Sequence, residues 1–214
     1  QGIANTLSGD LANTPLLFCC NPENDVFQAA GSRYPRHTTP SVAIREAPTR
    51  AGVLIMADRY PDLTTPLSPE LFQEALEKQL RLYIEYPSFL PDLPCGSPRR
   101  TTWERAVVAS ESFGPQLKPL RILAIHGCHY VPVENAKADI VMARVAGFDT
   151  AVYGLPQTGV SPILFEHSSI PAFVATTKLS QFVTGRYAPS DAWSAVWKRI
   201  LAWLNETNSI TLRW

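Results

Sequence analysis

Three consecutive stretches decide the fold: GVLIMADRYP (residues 52–61), SPELFQEAL (68–76) and LRLYIEYP (80–87). The first opens with a short, continuous apolar run, which is typical of a strand buried on both faces of a parallel sheet. The second opens with a capping serine and a first-turn proline, followed by apolar residues at helical spacing. The third is again strand-like. A strand, a crossover helix and a strand form the βαβ unit of a parallel sheet, so the sequence predicts an α/β fold.

The same pattern extends toward the N-terminus. Residues 16–20 (LLFCC) form another apolar run that stops at NPEN, which predicts the first parallel strand. Residues 40–47 can form a short helix with Thr39 as its cap, ended by Pro48. We therefore expect the first half of the chain to be doubly wound.

The second half has a different spacing. Short strand-like runs separated by turns predict a strand-rich extension or a second small sheet. These runs are residues 105–109, 120–125, 140–145, 151–153, 163–165 and 172–175. The last element is an amphipathic helix, because apolar residues recur with helical spacing from Trp193 to Leu204, and we predict that its tryptophans are core. We predict one domain, residues 1–214, cut from a longer chain.

Composition excludes several classes of partner. The 19 Lys and Arg residues balance the 19 Asp and Glu residues, so there is no net charge to attract nucleic acid or a membrane surface, and neither partner is expected. No apolar run approaches the roughly 20 residues that cross a bilayer. The start at Gln1 fits a mature periplasmic or secreted protein, although a cytoplasmic location is not excluded. The adjacent Cys19 and Cys20 are expected in the core. No cofactor is expected.

The residues that follow the strands are the first candidates for a binding site, because ligands of open parallel sheets bind beyond the carboxyl ends of the strands. Carboxylates, an arginine and tyrosines at these ends can hydrogen-bond hydroxyl groups and stack on a sugar ring. The alternative is that they only terminate strands. The candidates are Asn21, Glu23, Asp58, Arg59, Tyr60, Glu85 and Tyr86.

A second candidate lies in IHGCHY (residues 125–130), where Cys128 stands between His126 and His129. A cysteine nucleophile needs a nearby base to form its thiolate, and a histidine can supply it. The alternative is a buried cysteine beside hydrogen-bonded histidines. These histidines with Glu166 and His167 could also form a metal site, but the spacing is not specific and no metal is predicted.

The βαβ segment of residues 52–61, 68–76 and 80–85, with the closing segments 162–166, 174–180 and 193–204, resembles the core of class I glutamine-amidotransferase-like and ThuA-like domains. The resemblance implies a flavodoxin-like parallel sheet flanked by helices. It also implies a cysteine after the strand that follows the helix, where this chain has Glu85-Tyr86, and a His and Glu near the C-terminal end. Here Glu166 and His167 are adjacent, so alternation along a strand would point them apart.

Four further segments resemble an N-terminal domain of bacterial multidomain proteins that degrade carbohydrates. They are residues 103–108, 122–129, 143–154 and 178–182. The resemblance implies a non-catalytic or degenerate accessory domain that binds carbohydrate or packs on a neighbouring catalytic domain of the same chain. Two alternatives stay open. One is a small hydrolase that uses either Cys128 with His126 or His129, or an acid pair drawn from Asp58, Glu85 and Glu166. The other is a purely structural interaction module.

Overall fold

The computed structural model describes residues 15–123, 125, 127–134, 136–182, 192–205 and 212–213. Its strands are β1 Leu16–Cys19, β2 Arg36–His37, β3 Gly52–Ile55, β4 Arg81–Glu85, β5 Arg99–Arg100, β6 Arg105–Val108, β7 Ile122–Leu123, β8 His129–Tyr130, β9 Ile140–Ala143, β10 Ser161–Glu166 and β11 Ala172–Ala175. Its helices are α1 Asp25–Ala29, α2 Pro40–Glu46, α3 Pro69–Glu77 and α4 Ala192–Leu204, and Leu179–Phe182 forms a 3₁₀ turn.

Nine of these strands form one mixed sheet in the order β2-β1-β3-β4-β11-β10-β9-β6-β7. The first five pair in parallel, and their order is the 2-1-3-4-5 of flavodoxin-like folds, with β11 as the fifth strand. The remaining pairs are antiparallel and extend the same sheet. The separate β5-β8 pair is a second small sheet. The predicted α/β fold, with a flavodoxin-like parallel sheet and a strand-rich extension, is confirmed.

Alternation along the strands builds a core on each face of the sheet. In β1, Leu16 and Phe18 pack with α1 and α4, whereas Leu17 and Cys19 pack with α2 and α3. The apolar runs of the parallel strands are therefore continuous because both faces are covered. The stripe of α4 is buried as predicted, with Trp197 fully enclosed and its ring 5.4 Å from that of Tyr83.

The helix starts follow their sequence signals. The Thr39 hydroxyl accepts from the Val42 N–H at α2, and the Ser68 hydroxyl accepts from the Leu71 N–H at α3, each with a proline in the first turn. α1 was not predicted. Its signal is Asn24, whose side chain caps the Val26 and Phe27 N–H groups. Asn24 lies two residues after Pro22, in the segment that we interpreted only as a strand stop.

One predicted strand is wrong. Residues 151–153 form a turn and not a strand, because only Ala151 of the three is buried, and the Ala151 and Val152 N–H groups donate to the loop carbonyls of Leu120 and Ala146. The Val152 and Tyr153 side chains that suggested a strand point into solvent. The other predicted strands of the second half are present as β6, β7, β9, β10 and β11, most of them with shorter bounds.

Candidate functional site

A cleft of about 740 Å³ lies beyond the carboxyl ends of β1 and β3. In a 2-1-3-4-5 sheet the strand order reverses between these two strands, and crevices for ligands form at this switch point. The floor of the cleft is Cys19 and Met56, and its walls come from the starts of α2 and α3 and from the loop that joins β3 to α3. Its polar lining is rich in hydroxyl groups and carboxylates: Thr38, Thr39, Ser41, Asp58, Arg59, Thr64, Thr65, Ser68, Glu70 and Glu74.

Two of the seven predicted rim residues, Asp58 and Arg59, line this cleft. The Asp58 carboxylate accepts a hydrogen bond of 2.9 Å from the Asn21 N–H, which ties the ends of β1 and β3 together. Burial raises the pKa of Asp58, while this backbone bond and the charges of Lys178 and Arg36 act in the opposite direction. Arg59 is exposed, so a cation stands next to the Asp58 carboxylate in the cleft lining, which also contains the carboxylates of Glu70 and Glu74.

Glu85, at the end of β4, is a structural residue rather than an accessible one. Its side chain is fully buried, and its two oxygens accept four hydrogen bonds. The donors are the Ala57 N–H at 3.1 Å, the Ser180 N–H at 2.7 Å, the Ser180 hydroxyl at 2.9 Å and the Tyr83 hydroxyl at 3.0 Å. Burial raises the pKa of Glu85 although the donors and Lys178 oppose the shift. Our prediction that Glu85 binds a ligand is therefore corrected.

Tyr86 occupies the position at which the amidotransferase resemblance implies a cysteine. Its φ of 50° lies in the left-handed region, so the backbone turns sharply at the strand end, as it does where a nucleophile is presented. The Tyr86 ring is nevertheless fully buried, and its hydroxyl donates to the Pro61 carbonyl at 3.2 Å. Tyr86 is thus enclosed in the fold, and our prediction that it contacts a ligand is corrected in the same way.

Tyr60 connects this region to the small sheet. Its ring packs edge-on against Tyr86 with centroids 5.0 Å apart, and its hydroxyl accepts a 2.6 Å hydrogen bond from the His129 N–H. Burial raises the pKa of Tyr60.

Asn21 and Glu23 are exposed beyond β1 and are not among the residues that line the cleft. The sequence analysis missed Asn24, whose amide donates to the Ser180 hydroxyl at 3.1 Å and so extends the Glu85 network to α1.

Cys128 is not arranged as a nucleophile. It is buried, and burial raises the pKa of its thiol, so the thiolate is disfavoured. Its backbone N–H and carbonyl both bond to the Thr101 hydroxyl, and the adjacent His129 lies in β8, paired with Arg100. His126 lies outside the described residues. Cys19 and Cys20 are buried as predicted, and burial raises the pKa of each to about 12.

Glu166 and His167 point in different directions, as the alternation of a strand predicts. Glu166 is exposed, 3.8 Å from Arg199. His167 is buried and bridges two loops, with Nε2 2.8 Å from the Pro91 carbonyl oxygen and Nδ1 accepting from the Ser169 N–H. Among the residues that the structure describes, no three His, Cys, Asp or Glu side chains come together as a metal site.

The comparisons with known proteins give a likeness to solved structures and none to a family or a curated protein. No protein-family model matches the chain, and no curated protein matches it. Among solved structures, "Structure of PurLQS from Thermotoga maritima" is similar over 89% of this chain and 99% of that chain, with 11% sequence identity and a TM-score of 0.47. None of the described helices is long and apolar enough to cross a membrane.

The cleft residues that the sequence analysis missed are chiefly the hydroxyls of α2 and α3. Their signal was present, since Thr39-Pro40 and Ser68-Pro69 were both identified as helix starts. In a parallel α/β sheet a helix that follows a strand begins near that strand's carboxyl end, where ligands bind. Combining these two facts would have placed the threonine and serine side chains in the cleft beside Asp58.

Proposed function

We propose that this chain is a non-catalytic accessory domain of a bacterial carbohydrate-degrading protein, exported to the periplasm or secreted, and that it binds carbohydrate in the switch-point cleft. The observation that carries the proposal is the lining of that cleft. Residues with hydroxyl groups from both helix starts line the cleft together with Asp58 and Arg59, around a volume of about 740 Å³. A cavity of this size accepts a small oligosaccharide, and short hydroxyl and carboxylate side chains hydrogen-bond the hydroxyls of a sugar.

The burial and hydrogen bonding of the candidate residues near the neighbouring strand ends support a binding function without catalysis. A catalytic pair needs a nucleophile or acid within hydrogen-bond reach of a base, both open to the substrate. In the described part of the chain, the catalytic candidates Glu85 and Cys128 are buried and engaged with backbone groups. The hydrolase alternative therefore has less support than the binding function.

Thermal unfolding against a panel of mono- and oligosaccharides tests the proposal. A sugar at about 100 times its Kd stabilises the fold by roughly 2.7 kcal/mol, which raises the Tm of a chain of this size by about 5 to 10 °C. The variant Asp58→Asn keeps an acceptor for the Asn21 N–H but removes the charge, and Arg59→Ala removes an exposed cation. We expect each to reduce the ligand-induced shift.

The matched control is Glu23→Ala, an exposed carboxylate near β1 that does not line the cleft. Its ligand-induced shift should equal that of the wild type. The proposal fails if no saccharide raises the Tm, or if a saccharide raises it equally in the wild type, Asp58→Asn and Arg59→Ala.

A further inference from the structure

Four large apolar side chains lie in solvent at one end of the antiparallel extension. Trp103 is 79% exposed, Phe148 90%, Val152 67% and Tyr153 89%. We refer to these four residues as the aromatic surface. Three aromatic rings at this exposure present on the order of 500 Å² of mainly apolar area, which is as large as the main apolar patch of a typical monomer. Patches of this kind mark interaction sites.

One backbone pairing and two side-chain contacts hold Trp103 next to the loop that carries the other three residues. β6 pairs with β9 so that Arg105 lies opposite Ala143. Glu104 then contacts Arg144 at 3.1 Å, and the Arg105 guanidinium donates to the Gly147 carbonyl. Trp103, which precedes Glu104, and Phe148, which follows Gly147, are therefore close neighbours on the surface.

The loop is fixed by its own hydrogen bonds. The Ile122 N–H donates to the Asp149 carbonyl at 2.8 Å, and the Ala151 N–H donates to the Leu120 carbonyl at 2.8 Å. The Val152 N–H donates to the Ala146 carbonyl at 3.0 Å. These bonds also cover the edge strand β7, so another chain would meet side chains here and not a free strand edge. The rings are thus presented by an ordered scaffold, which lowers the entropic cost of binding.

We propose that a second copy of this chain covers the aromatic surface in a two-fold symmetric dimer. A two-fold contact buries the same patch on both copies, so it would remove on the order of 1,000 Å² from water, the lower bound of a specific interface. The surface also carries both signs of charge. The Arg144 side chain is 68% exposed, with only its Nε toward Glu104, and Asp149 is exposed next to Phe148. A symmetric contact sets Arg144 of each copy against Asp149 of the other.

Sedimentation velocity of the whole chain from about 1 to about 100 µM tests the dimer, because this range brackets a micromolar Kd. We expect a concentration-dependent dimer. Phe148→Ser combined with Tyr153→Ser should raise its Kd at least about 100-fold, as the loss of two central aromatic side chains does at interfaces. The control is Leu76→Ser, which changes a half-exposed apolar residue on α3 and should leave the Kd unchanged.

A charge reversal at Asp149 separates this contact from other self-association and leaves the Arg144–Glu104 pair intact. Asp149→Arg should weaken the dimer, because it sets arginines of the two copies against each other, and Asp149→Asn, which removes the charge without reversing it, should weaken the dimer less. A far-ultraviolet circular dichroism melt of each variant confirms that it is folded. A wild-type chain that stays monomeric throughout, or a dimer that ignores the Phe148 and Tyr153 substitutions, overturns the proposal. Asp58→Asn, which tests the cleft, should dimerise like the wild type.

Discussion

The two halves of the sheet each contain a carboxylate that gathers several hydrogen bonds, and the two differ in pKa. Glu85, in the parallel half, is completely buried and accepts four bonds, yet burial raises its pKa. Glu104, in the extension, accepts from the Thr102 and Trp103 N–H groups and pairs with Arg144 near solvent. Its hydrogen bonds, the Thr102 N–H first, lower its pKa to about 2. Donors alone therefore do not set a pKa, because desolvation can outweigh them.

Polar residues also have different structural roles in the two halves of the sheet. In the parallel half the polar network lies inside the fold and joins β3, β4, α1 and the 3₁₀ turn at the point where related folds place a site. In the extension the polar contacts lie outside and hold the aromatic surface in position. We therefore expect changes in the parallel network to affect global stability, and changes in the extension to affect a local loop and its surface.

The largest effect should follow Glu85→Ala. The substitution leaves four buried donors without an acceptor, including the Ala57 and Ser180 N–H groups, and each unsatisfied buried donor costs about 1 to 3 kcal/mol. Because water can reach some of them after relaxation, we expect a loss of about 3 to 5 kcal/mol in the free energy of unfolding. Urea unfolding measures it.

The matched control is Glu23→Ala, which changes an exposed carboxylate and should stay within about 0.5 kcal/mol of the wild type. A Glu85→Ala chain as stable as that control would show that the network does not support the parallel half, and the contrast between the two carboxylates would lose its basis.

A smaller effect is expected from Gly147→Ala in the extension. Gly147 has a φ of 123°, and a Cβ there would overlap the Thr150 carbonyl. The strain and the overlap together should cost about 2 to 3 kcal/mol. Gly159→Ala is the control, since Gly159 also has a positive φ, of 71°, but faces open space. It should cost only about 1 kcal/mol.

Urea unfolding compares these two glycine variants, and hydrogen exchange locates the change. If the extension behaves as a local unit, faster exchange after Gly147→Ala should concentrate in the loop around Ala151 and leave β1 and β3 protected. Equal costs for the two alanine variants would mean that the close approach to Thr150 does not constrain the loop.

How far the sequence predicts the molecule depends on the distance over which each signal acts. The parallel strands β1, β3 and β4 and the helices α2 to α4 were predicted because apolar runs and helix-start residues are local signals, whereas the two-residue parallel strand β2 has no apolar run and was not predicted. The roles of Glu85 and Tyr86 were not, because Glu85 bonds to Ser180, 95 residues away, and such a partner leaves no mark near the strand end. Asp58 and Arg59 were identified as rim residues, but the cleft that they line is assembled from two helix starts. The Val152 and Tyr153 side chains fitted a strand pattern although the loop presents them to solvent.

The smallest effect, and the sharpest test of the contrast between the carboxylates, is the pH dependence of Glu104→Gln. A carboxyl whose pKa is about 2 in the folded chain and near 4.5 when unfolded stabilises the fold above pH 4.5 and loses that contribution as the pH falls through about 2. Since Glu104 is near solvent, we expect Glu104→Gln to cost only about 1 kcal/mol at pH 7. The difference from the wild type should vanish toward pH 2. The pH dependence of stability that Glu85 contributes has the opposite sign. Burial raises the pKa of Glu85 in the folded chain, so the fold loses stability as the pH rises through that folded pKa and Glu85 ionises. Urea unfolding of wild type and Glu104→Gln from pH 2 to pH 7 measures the difference, and a difference that is independent of pH would show that Glu104 acts through packing and not through its charge.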